Sequence, residues 1–492
     1  MKKILSIILL SLTVGISSCK KDYFNLETNP NSPSVTTPGL LLSGSLKATA
    51  DIVNVNFSTY GVWMGYWAPS GNYVPNASLF TYNFTNVDYQ VWTPLYSNAA
   101  NYNALETRSA ANPALVNYQA IAVIMKAYDF QALVDVYNNV PYTEAFKGIG
   151  NISPAYDKGE FIYNDLLKKL DVAIGLIKSA PVTAENPGNY DIMFKGNMTK
   201  WIKFANTLKL RIVLRQWNLV AKRGALTTAL QSTAAEGYLD ANSSGEVNPG
   251  YANSDAQGGQ QSPFYRIYGY DQSDNFTPNY DYFRANAYSI DKLNSYNDPR
   301  VGQLYDTIPD GTIHGNEYGD PNALPNAVIS AIGPGLLKGA TQNAVILSGS
   351  EALFLQAEGA LNGIVAGSAQ AFYEAGITAS FVSTGVDNAA AEAVAYYTQD
   401  LVNVSYAASD PLEAIITQKW ISLNGYGNLE AYNEYRRTGF PSDVPRSIAS
   451  GTLGTTIPSR IFYPSSEYQQ NAGNVTKEGT IDRFTSKIFW AK

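Results

Sequence analysis

PALVNYQAIAVIMKAYDFQALVDVY, residues 113 to 137, decides the fold class. Ile121, Met125, Tyr128, Ala132 and Val136 recur at steps of three and four, which places an apolar stripe on one face of a helix, whereas a strand would alternate every second residue. Outward from it, Trp201, Phe204, Ala205, Leu208 and Ile212 stripe a second segment near 199 to 222, and Leu353, Ala357 and Leu361 a third that begins near Ser350. Start signals accompany them. Asp157 stands three residues before Glu160, and Asp410-Pro411 followed by Glu413 matches an N-cap, a proline at the first helical position and a capping glutamate. The spacing predicts helices near 40–61, 88–108, 113–137, 157–179, 199–222, 351–362, 367–382, 386–402 and 410–436. The class is mainly α. Helices joined in pairs suggest α-solenoid-like packing, although no clean tetratricopeptide repeat of about 34 residues is found.

Between about Gly237 and Gly349 this periodicity disappears, and Gly, Asn, Asp, Ser, Pro and Tyr dominate. That stretch reads as long structured loops with a few short strands, and loops of such length in a compact protein are usually functional. No Gly/Ser-rich or Pro-rich linker divides the chain after residue 38, so residues 39–492 are expected to form a single domain.

At the N-terminus, Met1, Lys2 and Lys3 precede the apolar run Ile4 to Ile16, which ends in Ser17-Ser18-Cys19. This is an export signal over residues 1–18, too short to cross a hydrocarbon core of about 30 Å. Cys19 is the single cysteine, so no intramolecular disulfide can form. The quartet Ile16-Ser17-Ser18-Cys19 resembles a bacterial lipobox, whose thiol is acylated, and several acyl chains together anchor a protein stably. The rival reading is an ordinary secretory signal that happens to end in cysteine. Residues 19–38, with Asn29-Pro30-Asn31-Ser32-Pro33, then form a flexible tether.

The formal net charge of −7 becomes −9 once Lys2 and Lys3 leave with the signal, and no basic patch is evident, which disfavours nucleic acid. The chemical inventory is equally restrictive. With one histidine, His314, in the loop-like Gly311 to Gly315, a His-rich zinc site is excluded and a Ser-His-Asp triad has only one source for its base. No glycine-rich nucleotide motif is present. Asp271, Asp274 and Asp281 lack an EF-hand pattern, so calcium is not assigned, and neither catalytic residues nor a cofactor are expected. Two carboxylates acting as a glycosidase pair stay open as a rival reading.

Aromatic density stands out, with 35 Tyr, 19 Phe and 7 Trp against 15% charged residues. Two non-helical clusters concentrate it: Trp63, Tyr66, Trp67 and Tyr73, then Phe264, Tyr265, Tyr268, Tyr270, Tyr280, Tyr282 and Phe283. A pyranose presents an apolar C–H face to a flat ring and a rim of hydroxyls to polar groups, offered here by Asn72, Asn76, Asp271, Asn279, Asp281 and Arg284. The bland alternative is that these rings pack the loops onto the helices.

Three strings in order carry a family resemblance: Thr28-Asn29-Pro30-Asn31-Ser32-Pro33, AYDFQALVDVYNNVPYTEAF at 127–146, and ITQKWISLNGYGNLEAYNEYRRTGFP at 416–441. Behind a lipobox they resemble the SusD/RagB family of nutrient-binding outer-membrane lipoproteins, in its SusD-like subgroup. Physically these strings read as structural, with Pro141 ending a helix and Arg436-Arg437 bracing helix ends. The resemblance implies about eight helices in tetratricopeptide-like pairs that support a large, variable loop region. It also implies a cell-surface, lipid-anchored protein of the outer membrane that binds an oligosaccharide without cleaving it and passes it to a SusC-like TonB-dependent transporter. An exposed aromatic platform would carry the binding. Trp67 is the first candidate, followed by Phe264, Tyr265, Tyr268 and Tyr282, with Trp63, Tyr66, Asn72, Tyr73, Tyr270 and Arg284 completing the set. A peptide-binding RagB-like role and a helical glycoside hydrolase are the rival functions, the second distinguished by turnover.

Overall fold

A computed structural model describes residues 36–254, 256 and 259–492; the export signal, Cys19 and the Asn-Pro-Asn-Ser-Pro segment lie outside them. The principal helices are α1 (Pro38–Val55), α2 (Ser58–Trp63), α3 (Trp92–Ala110), α4 (Val116–Tyr137), α5 (Gly159–Lys178), α6 (Met198–Arg215), α7 (Arg223–Gln231), α8 (Ala287–Ser295), α9 (Gly349–Leu361), α10 (Ala369–Thr384), α11 (Ala389–Tyr397), α12 (Pro411–Ser422) and α13 (Asn428–Thr438). Sequential neighbours pack as pairs: α3 on α4, α4 on α5, α5 on α6, α9 on α10, α10 on α11. Across the break in sequence, α6 packs on α9 and α9 on α12. The mainly α class and the paired-helix arrangement expected from the sequence are what the structure has.

The deciding segment is more buried than its stripe implies. Every residue of α4 except Gln119 and Lys126 is buried, so α4 is a central helix enclosed by α3, α5, α6 and α1 rather than an amphipathic surface helix. Several predicted boundaries also move for local reasons. Residues 410–436 are two helices, because Gly425 (φ +85°) reverses the chain between α12 and α13. Asp410 caps α12, accepting from Glu413 N at 3.0 Å. Asp157 does not cap α5; its carboxylate accepts from the backbone N–H groups of Tyr142 and Thr143 at 3.1 and 2.8 Å, closing the 138–157 loop. Pro141 follows a helix already ended at Tyr137, where Asn138 takes a positive φ of 68°. Helices α7 and α8, and the short turns at Pro263–Tyr268 and Pro278–Tyr282, form within or beside the stretch read as loops.

Where α4, α6, α9, α12 and α13 converge, the core holds ions. Arg437 pairs with both oxygens of Glu358 at 2.7 Å and also bonds Glu434. Lys419 donates to Glu434 at 3.1 Å, Arg211 to Glu351 at 3.3 Å, and Arg215 bonds Glu430 and lies 4.0 Å from Asp135. Arg436 donates to the carbonyl of Asp135 at 2.7 Å and lies 4.1 Å over the Tyr432 ring. Burial raises the Glu434 carboxyl, but Arg437, Lys419 and Arg215 outweigh it and hold the group far below the usual carboxylate range. Thus Arg436 and Arg437 bind distant helices together instead of merely bracing their own helix end.

Arg437→Leu leaves Glu358 and Glu434 buried without their principal partner and is expected to cost about 3–5 kcal/mol, measured by urea unfolding. Asp129 behaves oppositely, since burial raises its carboxyl well above the usual value and favours the protonated form in the folded protein. Its cost is absent while the unfolded chain is also protonated and grows as pH rises above about 4. Asp129→Asn is therefore expected to gain stability over the parent between pH 5 and pH 8, with the difference vanishing in acid.

Candidate functional site

Two three-residue strands bring the aromatic runs together. β1 (Trp67–Pro69) pairs antiparallel with β3 (Phe283–Ala285), with Trp67 opposite Ala285 and Pro69 opposite Phe283. A second small sheet joins β2 (Gly245–Val247) to β4 (Ala344–Leu347). The pairing of β1 continues through Ser70 N donating to Tyr282 O at 2.9 Å and Gly71 N to Leu324 O at 3.0 Å. Position 71 has no room for a side chain, because a Cβ would fall 1.9 Å from the carbonyl oxygen of Ala323. Asn316 locks the same junction, donating to the carbonyls of Pro69 and Leu324 at 3.2 and 3.1 Å.

These strands turn half of the candidate rings inward. Trp63, Tyr66, Trp67, Phe264 and Tyr268 are buried at 2% exposure or less. Trp67 packs against Tyr268, Phe283 and Phe264 at ring separations of 5.4, 5.6 and 6.4 Å, and Tyr66 stacks on Trp420 at 4.9 Å while its hydroxyl donates to the Trp420 carbonyl. Trp63 is enclosed by Tyr60, Tyr82, Phe84, Tyr89 and Tyr432. This corrects the expectation of an exposed platform at these five positions, Trp67 included: they are the core on which the loops rest.

The other half forms a surface ribbon. Tyr73 meets Tyr282 edge-on at 5.4 Å. Asp271 Oδ1 accepts from the N–H groups of Ser273 and Asn275, closing a turn that sets Tyr270 beside Phe276 at 5.2 Å. Phe276 stacks on Tyr280 at 4.5 Å with planes 2° apart, and Tyr265 stacks on Tyr270 at 5.7 Å. Between the two groups Arg284 lies 5.0 Å over the Tyr280 ring and donates to Asp281 at 3.1 Å and Asn326 at 3.0 Å, while Asn326 also donates to Asp281. Burial lowers the Arg284 guanidinium from its ordinary value, opposed by Tyr280 and Asp281, and burial pushes the Tyr282 hydroxyl up to about 12. Burial likewise raises the hydroxyls of Tyr265 and Tyr280, and Asn72 is exposed next to Tyr73.

Sequence reasoning passed over Phe276, which is 56% exposed, and Asn326. The signal for Phe276 was present, since Asp271 to Asn275 is a turn-forming run flanked by Tyr270 and Phe276. Asn326 carried none, because it reaches the site only through the 316–328 loop. Asp271 is spent on its turn, and among the described residues no group of three or more His, Cys, Asp or Glu could hold a metal ion. His314 is exposed in its loop.

Paired helices that carry one large loop-rich face define a helical-repeat scaffold. The chain belongs to the SusD-like family described as starch-binding and associating with the outer membrane, whose model matches residues 30–464. Among solved structures it is similar to a chitin-binding protein, with 26% identity, a TM-score of 0.76 and coverage of 93% of this chain and 100% of the other. A chitin-binding SusD homolog from Flavobacterium johnsoniae shares 24% identity at a TM-score of 0.74, covering 91% of this chain and 98% of its own. A SusD-like protein from Bacteroides thetaiotaomicron shares 23% identity at a TM-score of 0.74, over 92% and 99%. These last two show the shared fold. No curated protein sequence matches the chain.

Because Trp67 is enclosed on all sides, Trp67→Ala is expected to lower stability by about 3–5 kcal/mol through the cavity it leaves, read by denaturant unfolding and loss of the near-ultraviolet dichroism of the packed rings.

Proposed function

We propose that the protein is a glycan-binding lipoprotein of the outer membrane, held at the cell surface by acylated Cys19, that captures an oligosaccharide and delivers it to a SusC-like TonB-dependent transporter. The observation that carries this reading is the surface ribbon of exposed Tyr73 and Phe276 with half-buried Tyr265, Tyr270 and Tyr282, backed by buried Tyr280 and the Arg284–Asp281–Asn326 knot. Its rings offer apolar faces to sugar C–H groups, while Asn72, the tyrosine hydroxyls and Asp281 supply donors and acceptors to the hydroxyl rim. The anchored network beneath keeps these groups in place, so little ordering is needed on binding. Binding, with no bond cleavage, accounts for the residues present. The two similar structures described as chitin-binding make chito-oligosaccharides the first ligand to test, with starch oligosaccharides second.

Isothermal calorimetry with chito- and malto-oligosaccharides is expected to give saturable binding to one of them, weakened about tenfold or more by Phe276→Ala and by Tyr282→Ala, a loss of about 1.4 kcal/mol each. Chromatography of the incubated glycan is expected to show no shorter products. Unchanged affinity in both variants would remove the ribbon as the site, and release of shorter sugars would replace the binding role with hydrolysis.

A further inference from the structure

Apart from the ribbon, with which it shares no lining residue, the chain surrounds a cavity of about 740 Å³. Its mouth lies between the 241–242 loop, Lys338 and one face of α10, where Ala371, Val382 and Ser383 are exposed. Its walls are mostly apolar, with Phe57 and Val53 beyond and at the end of α1, Leu336, and Val345 and Ile346 of β4. Its floor is polar: Arg211, Glu351, Glu430 and Asn424 all line it. This combination of size, apolar wall and a few convergent polar groups is that of a small-molecule pocket.

The floor also says what kind of molecule. Asn424 is 2% exposed, its Nδ2 donates to the Tyr305 hydroxyl at 2.9 Å, and its Oδ1 is sealed beneath the floor without a hydrogen-bond partner among the described residues. Glu430 keeps 13% of its side chain exposed. The reachable carboxylate of the floor is that of Glu430, so a ligand that engages it must donate. It need not be a cation, because the floor's charge is already balanced: burial raises the Glu430 carboxyl, but Arg211, Arg215 and Lys419 together hold it below its ordinary value. A donor-rich, uncharged molecule with an apolar side to lay on Phe57 and Leu336 is a polyhydroxylated ring compound.

We infer that this cavity is a second binding site, taking a short neutral sugar of one or two rings through hydroxyl donors to Glu430. The choice of a sugar extends the reading of the surface ribbon, but the site is a separate one and fails or stands separately. Ala375 and Thr378 of α10 line the cavity and are half-buried, so a bulky residue at either narrows it without touching the ionic floor.

The experiment titrates a panel of neutral mono- and disaccharides, and separately the long oligosaccharides, into the parent protein, Ala375→Trp, Thr378→Trp and Phe276→Ala, with melting curves confirming that each is folded. Short-sugar affinity is expected to fall at least tenfold in the two tryptophan variants and to be unchanged in Phe276→Ala, with the reverse pattern for long oligosaccharides. Hydrogen exchange on the parent protein decides the matter even if a variant does not fold: the bound short sugar is expected to slow exchange in 335–338, 371–384 and 422–430 and not in 270–284. No binding by any member of the panel, equal affinity in the tryptophan variants, or protection confined to 270–284 would overturn the second site. Loss of long-oligosaccharide binding throughout would instead refute the ribbon and leave this result standing.

Discussion

The rest of the structure depends on the ionic network buried between α4, α6, α9, α12 and α13. Five helices from distant parts of the chain meet there, and none of Asp135, Arg215, Glu358, Lys419, Glu434 or Arg437 is solvated. A buried ion is tolerable only with its partners in place, so the network accepts one arrangement of these helices and penalises others. Apolar packing alone would leave more freedom of register, because a helix buried on nearly all faces, as α4 is, has no polar side to orient it. The carboxamides and rings around the ions complete the fit: Gln131 accepts from Arg211, Asn433 donates to Asp135, and the Trp490 indole donates to Asp135 at 3.0 Å, tying the C-terminal segment to the same centre.

This explains why the fold was legible in the sequence. The strings at 127–146 and 416–441 that carried the family resemblance contain Asp135, Lys419, Glu430, Glu434, Arg436 and Arg437, a large part of the network, with Arg211, Arg215, Glu351 and Glu358 supplied by α6 and α9. Helices α3 to α6 were visible through their three- and four-residue spacing because each buries at least one continuous face. What blurred was the detail that spacing does not encode. Gly425 splits α12 from α13 inside an otherwise helical run, and Asp157 has an N-cap's position but serves the backbone of Tyr142 and Thr143 instead.

The candidate site was legible in composition and only half legible in direction. Tyrosine, tryptophan and phenylalanine serve equally as core and as surface, and in a strand of three residues no alternation shows which way a ring points. Trp67 and Tyr73 lie six positions apart in sequence, yet one is sealed and the other exposed. The difference is set by the pairing of β1 with β3, a contact between segments more than two hundred residues apart, and by the close approach of Gly71 to Ala323. Neither is written in local pattern. The same holds for Asn326, which reaches Arg284 only because Asn316 pins its loop against Pro69 and Leu324.

The buried rings stand between two features of the protein. Phe264 packs on Trp67 and Tyr268 toward the ribbon side and on Tyr426, at 4.8 Å, toward the cavity whose wall Tyr426 forms. Tyr268 reaches further still, its hydroxyl donating to the carbonyl of Val55 at the end of α1. Interiors packed at crystal-like density transmit displacement instead of absorbing it, so a shift of Phe264 in one direction must be matched by its neighbours in the other. Rings at the two surfaces are therefore held by one block of packed aromatics. That block rests on Trp420 through Tyr66, and Trp420 lies one residue from Lys419 of the ionic network. The ribbon tyrosines and the buried charges are in this way joined by one continuous body of packed rings.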